Sequence, residues 1–208
     1  MSEYYIPTGA GEAEFTEKRS RFLGHVRKVE TEEEAKAFIA EMKKKYYDAR
    51  HNCWCYIING GAERYSDDGE PQGTAGIPML EVYRREGVTN VVCVVTRYFG
   101  GVLLGAGGLL RAYTKSAKDA LDAAGVSIVR PWTEADIPCS YSMAEKLKLE
   151  LINAGGMAAD MEYGAAVTIK ALIPQELTEE VKARIFDVSG GTVKVIPTGE
   201  THRAVPVR

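Results

Sequence analysis

Three stretches of this 208-residue chain bring together side chains and backbone that could do chemistry. Residues 65–70 read YSDDGE and offer Asp67, Asp68 and Glu70, three carboxylates that could hold Mg²⁺ beside a phosphate or work as acid and base. The Asp68-Gly69 turn explains the same residues as an exposed loop. Residues 96–121 read TRYFGGVLLGAGGLLRAYTKSAKDAL, a glycine-rich loop running into a helix. Successive N–H groups of such a loop, ending at a helix N-terminus, can cradle an anion. In HNCWC, His51, Cys53 and Cys55 share one face of a strand, but at a spacing tighter than zinc sites use, and no second ligand pair follows.

The glycine loop fails both standard nucleotide fingerprints. Gly100 and Gly105 are spaced like the start of a P-loop, yet Ala106 and Gly107 stand where Lys and Ser or Thr are required. Gly105 and Gly107 open a G-x-G, but Leu110 occupies the third glycine position. Arg111, Lys115 and Lys118 recur at i, i+4 and i+7 and form a basic stripe on one helix face, flanked in sequence by Arg97 and Arg130. Asp119 and Asp122 lie close by, so a solvated helix face accounts for the same pattern. Tyr98, Phe99 and Tyr113 could stack on bases, or, for the last two, belong to the core.

The elements that must position these groups follow from periodicity. SRFLGHVRKV at 20–29 alternates as a strand and pairs with AEFTEK before it. A helix follows, opened by a Thr31–Glu34 capping box and carrying Ala35, Phe38, Ile39, Met42 and Tyr46 at helical spacing. CWCYIING is a strand, and ERYSDDGEPQGTAG an exposed loop. Thr74 then caps a helix through IPMLEVYRREG, and TNVVCVVTRY is a buried central strand. The basic helix runs from about Ala106 to Ala124, with Leu109, Leu110, Tyr113, Ala117, Ala120 and Leu121 inward and Gly125 as its stop.

VRPWTEAD, with Pro131, reads as a linker between domains 1–131 and 132–208. Beyond it come strand DIPCSY, a helix with a Ser142–Glu145 capping box and inward Ala144, Leu147 and Leu151, strands MAADMEY and AAVTIKALI, a helix carrying Leu177, Val181, Ile185 and Val188, and a last strand TVKVIP. THRAVPVR is left as a strand extension or a loose tail. The order β-α-β-β-α-β is the ferredoxin-like split arrangement, and the whole chain is α+β.

Composition bounds the functions. The net charge of −3 gives no whole-protein attraction to nucleic acid or anionic membrane, so polyanion binding must be local. The four cysteines are too few and scattered for a disulfide scaffold. The start lacks the features of a secretory signal, and GVLLGAGGLL is too short and glycine-rich to span a bilayer. A cytoplasmic protein without a membrane span is expected.

YSDDGEPQGTAGIPML at 65–80 and VVTRYFGGVLLGAGGLLRAYTKSA at 94–117 together strongly resemble the YigZ/IMPACT family. The resemblance implies a first domain like the second domain of ribosomal small-subunit protein five. It implies a second domain like a C-terminal domain of the translocating elongation factor. Its motif positions map here to Asp67, Asp68, Gly69, Glu70, Gly73, Thr74, Arg97, Tyr98, Gly100, Gly101, Gly105, Gly107, Gly108 and Arg111. Eukaryotic relatives regulate translation initiation by competing for the activator of a starvation-responsive kinase, through a chain with an additional N-terminal domain. The resemblance supplies no catalytic residues, no metal and no cofactor. It implies a regulator of translation whose partner is RNA, the ribosome or a translation factor. A small-molecule phosphotransferase or a protein-interaction module would use the same loop.

Overall fold

A computed structural model describes residues 3–207. The chain divides into two compact units, 4–129 with 204–207, and 130–203.

The first unit is built on an antiparallel five-stranded sheet in the order β2-β3-β6-β4-β5. β2 (Gly11–Glu17) and β3 (Ser20–Lys28) form a hairpin that turns at Lys18 and Arg19, both with positive φ. β6 (Val91–Tyr98) lies between β3 and β4 (His51–Ile57), and its β-branched run is buried on both faces because helices cover both. On one face, α1 (Glu32–Lys45) packs Ala35, Phe38, Ile39 and Met42 against Tyr56, Val92 and Val94. On the other, α2 (Gly76–Arg85) and α3 (Ala106–Ala124) pack Met79, Tyr83, Leu109, Tyr113 and Leu121 against Phe22, Cys53, Cys55, Cys93 and Val95. β1 (Tyr4–Pro7) pairs with residues 126–129.

Several expectations change here. Glu63–Ser66, read as loop, is a short edge strand, β5, paired with β4. The loop after it is not simply exposed, since Glu70, Thr74, Ala75 and Gly76 are buried. Thr31 caps α1 by accepting the Glu34 N–H at 3.2 Å, while the Glu34 carboxylate accepts the Glu30 N–H rather than that of Thr31. Leu110, expected inward, is 47% exposed, because the buried stripe of α3 passes through Leu109, Ala112 and Tyr113.

The second unit holds three antiparallel strands in the order β7-β9-β8, with β10 (Ile196–Pro206) also paired to β7. β7 spans Val126–Cys139 without a break, so the linker expected at Pro131 is a strand. Pro131 is tolerated because it falls between the last residue paired to β1, Val129, and the first paired to β9, Trp132. α4 (Tyr141–Asn153) and α5 (Thr178–Val188) bury Leu147, Leu151, Val181 and Ile185 against Ile137, Ile169 and Ile173. β8 is Met157–Tyr163 and β9 is Val167–Pro174.

α4 starts after Ser140, with Ser142 inside the helix, so the expected Ser142–Glu145 box does not form. The last strand starts at Ile196 rather than at Thr192. Thr192 and Val193 are held by bonds to Ser189 that close the end of α5.

Candidate functional site

The first carboxylates are tied into the fold. Asp67 closes the start of α2: its Oδ1 accepts the N–H of Ala75 at 3.1 Å and Gly76 at 2.8 Å, and its Oδ2 accepts that of Gly73 at 2.8 Å. This displaces Thr74 as the cap, whose hydroxyl donates to the Pro71 carbonyl instead. Asp68 accepts the Asn52 N–H at 2.7 Å and pairs with Lys43 at 2.6 Å. Asp68 and Gly69 both take positive φ, 44° and 85°, which makes the expected turn.

Glu70 points into the molecule. Its Oε1 accepts from Arg97 Nη1 at 2.7 Å and from the Tyr113 hydroxyl at 2.8 Å, and the two ionised side chains are 3% and 6% exposed. Burial pushes the Tyr113 phenol far above its ordinary range, with Cys53 and Glu70 beside it adding to the shift, so it stays protonated and donates. Arg97 Nη2 donates to Ser20 Oγ at 3.2 Å, and that oxygen also accepts the Gly100 N–H at 3.3 Å. The glycine loop is thereby fastened to the buried ion pair. Gly100 must be glycine, because a Cβ there would lie 2.0 Å from the Arg19 carbonyl.

The loop ends at α3, whose N-cap is Gly105 with φ 72°, a backbone that favours glycine. No side chain caps this helix, and its first backbone bond is Leu109 N–H to Gly105 O at 2.9 Å. The N–H groups of Ala106, Gly107 and Gly108 are thus at the positive end of a 19-residue helix. Gly105 and Ala106 line a cleft of about 400 Å³ together with Arg50, His51, Arg97 and Phe99, whereas Gly108 lines a separate hollow.

His51 and Arg97 meet because β4 and β6 pair them directly across the sheet. His51 is 8% exposed, and its Nδ1 lies 2.9 Å from the Asp68 carbonyl oxygen. A carbonyl can only accept, so Nδ1 carries the proton. Nε2 lies 3.9 Å from Glu70 Oε1, beyond hydrogen-bond range. Arg50 and Arg97 guanidinium carbons lie 5.9 and 5.5 Å from the centroid of the Phe99 ring, which is 39% exposed.

The expected residues therefore separate. Gly69, Glu70, Arg97 and Gly105 line the cleft. Asp67, Asp68, Gly73 and Thr74 hold the loop and the start of α2. Tyr98 donates to Asp48 and Tyr113 is core, which leaves Phe99 as the aromatic available for stacking. Gly101 takes φ 83°, and a Cβ at Gly108 would press on Leu104.

The basic stripe is largely neutralised: Lys115 pairs with Asp119, and Lys118 with Asp122 and Glu86. Arg111 lies at a separate hollow with Lys18 and Glu17. Arg130 pairs with Glu176 in the second unit. Among the described residues, no three His, Cys, Asp or Glu side chains are grouped to hold a metal ion, and Cys53 and Cys55 are buried with thiols that burial pushes up. Arg50 was missed, and His51 was weighed only as a metal ligand beside Cys53 and Cys55. Their signal is pairing register, which a linear motif does not carry.

A family model described as "Impact N-terminal domain" matches residues 18–121, which contain this cleft entirely. The bacterial proteins named "IMPACT family member" YvyE, from Bacillus subtilis, and YigZ, from Escherichia coli, are 36% and 32% identical to the chain, over 92% and 96% of it and 89% and 100% of their own lengths. The chain belongs to the IMPACT family. Residues 137–192 of this IMPACT-family chain match a second model, "Domain of unknown function (DUF1949)". A solved structure described as "Crystal structure of an hypothetical protein" is similar with a TM-score of 0.60 at 32% identity, covering 96% of this chain and 98% of that one. Among the described residues, no helix of the IMPACT-family chain is long and apolar enough to cross a membrane.

Proposed function

We propose that this IMPACT-family chain is a cytoplasmic, non-enzymatic regulator of translation that contacts RNA, on its own or in the ribosome, through the cleft at the start of α3. The observation that carries this reading is the convergence of the uncapped helix start, Arg50, His51 and the exposed Phe99 ring on one cleft of a chain whose net charge is −3. Backbone phosphates suit the helix start and guanidinium, and an unstacked base suits the ring. The β7-α4-β8-β9-α5-β10 order, with β10 and β9 both paired to β7, supports a ferredoxin-like second domain resembling the elongation-factor domain. The first unit is read as like the second domain of ribosomal protein S-five.

The test is RNA binding by the full chain across a salt series, with ribosome co-sedimentation beside it. Counterion release predicts affinity that falls steadily as salt rises, and Arg50→Ala should weaken it. The absence of binding at low salt, together with unchanged co-sedimentation of the variant, overturns the reading. A phosphotransferase would need free carboxylates for Mg²⁺, whereas Asp67 and Asp68 are engaged by backbone N–H groups and Lys43, and Glu70 by Arg97.

A further inference from the structure

We infer that the cleft at the start of α3 is a phosphate-monoester site, taking the terminal phosphate of a nucleotide unit rather than an internal diester of a chain. The inference rests on the RNA-facing reading of the same cleft and narrows it to one chemical group.

Two independent features point to such a ligand. The first is the helix start, where Gly105 and Ala106 line the cleft and no side chain caps the helix. The second is His51, more than nine-tenths buried, lining the cleft with Nδ1 committed to the Asp68 carbonyl and Nε2 without a hydrogen-bond partner among the described residues. With Nδ1–H fixed as donor, Nε2 presents either a lone pair or a second proton.

A phosphate monoester has a second pKa of about 6 and carries roughly −1.5 to −2 charge near neutrality. If its proton stays on phosphate, P–OH donates to the Nε2 lone pair. If the proton moves to Nε2, imidazolium donates to the dianion. Both distributions make the bond. A diester has no proton to give and matches only the imidazolium. The remaining phosphate oxygens accept from the helix N–H groups, and Arg50 is exposed at the cleft to balance the charge. Glu70 does not oppose this with a bare charge, because Arg97 and Tyr113 both donate to it.

The cleft, about 400 Å³, falls within the range of small-ligand sites. Phe99, Leu103, Leu104 and Leu109 give it an apolar side suited to the flat face of a base. A free mononucleotide and a 5′-phosphorylated RNA end offer the same chemistry.

The experiment measures binding to the full chain of one hexaribonucleotide with a 5′-phosphate and with a 5′-hydroxyl, and of uridine monophosphate against uridine. The phosphorylated member of each pair should bind at least about tenfold more tightly, a difference of ~1.4 kcal/mol. Ala106→Pro removes one N–H at a helix position that accepts proline, and His51→Asn keeps an N–H for Asp68 while deleting Nε2. Each should bring the ratio towards one in a chain that still unfolds cooperatively, His51→Asn at a lower midpoint because it empties part of a buried site.

Equal binding of both oligonucleotides and of both uridine ligands overturns the monoester site while leaving RNA binding intact. Preference for uridine monophosphate over uridine without binding of either oligonucleotide supports the site and overturns the RNA reading. A phosphate preference that survives in both folded variants overturns the placement at α3 and His51.

Discussion

α2 and α3 lie on the same face of one sheet, yet their N-termini are finished in opposite ways. The start of α2 is closed from within, since Asp67 accepts three backbone N–H groups from 73, 75 and 76. The start of α3 has glycine at its cap and no side chain over its free donors. One helix carries its anion in the covalent chain, and the other presents the same electrostatics to a cleft. The difference has a local cause. The loop 66–71 contributes Asp67 to α2, but its Glu70 accepts from Arg97 and from the Tyr113 hydroxyl within α3, so this carboxylate does not close the start of the second helix. Folding thus uses one acid to complete a helix and another to satisfy a buried cation, which leaves the α3 donors for something else.

The largest effect should come from removing the acid that keeps these two roles apart. Glu70→Ala leaves the Arg97 guanidinium buried without its carboxylate, and we expect a loss of about 3–5 kcal/mol in urea unfolding. Glu70→Gln, which can still accept a hydrogen bond, should lose less. A loss no larger than that of a surface substitution would mean that Arg97 finds another partner. Next, Asp67→Ala opens α2 as α3 is open, and should cost about 2 kcal/mol, the upper end for a cap, because several donors lose a charged acceptor at once. Hydrogen exchange should localise the change to the N–H groups of 73–76. An unchanged exchange rate there would break the comparison.

Lys115→Ala with Lys118→Ala tests whether the charges on the flank of α3 belong to its open start. Both lysines already face carboxylates, and exposed pairs contribute little, so the double change should cost about 1 kcal/mol or less and leave the phosphate preference intact. A large drop in that preference would move the anion site from the start of α3 to its flank.

How far the sequence reveals this arrangement depends on whether the cause is local. The limits of α3 were legible from glycines at each end, and β6 from its β-branched run, because backbone freedom and two-sided burial leave marks at each residue. The i, i+4 spacing of Lys115–Asp119 and Lys118–Asp122 also announced the neutral flank. By contrast, Asp67 caps a helix whose first residue is nine positions later, which no local capping pattern encodes. The strand through Pro131 forms because partners from distant segments supply its bonds on either side of the proline. His51 reaches Arg97 through strand register alone, so the cleft emerges only when β4 and β6 are paired.

The smallest effect is the most direct test of the contrast, because it gives α3 what α2 already has. Ala106→Glu places a carboxylate at the first turn of α3, beside N–H groups with no side-chain cap. An acid in that position favours the helix by about 0.3–1 kcal/mol, so the urea midpoint should rise slightly. The same carboxylate competes with any external anion, and the preference for 5′-phosphate over 5′-hydroxyl should fall towards one. Ala106→Gln matches the size without the charge and should do neither. Stability and binding are expected to move in opposite directions in the charged variant alone, since one set of donors cannot serve an internal and an external anion together. If the Glu variant is more stable yet keeps its phosphate preference, the open start of α3 is an uncapped helix end and the anion is held elsewhere in the cleft, by Arg50 and His51.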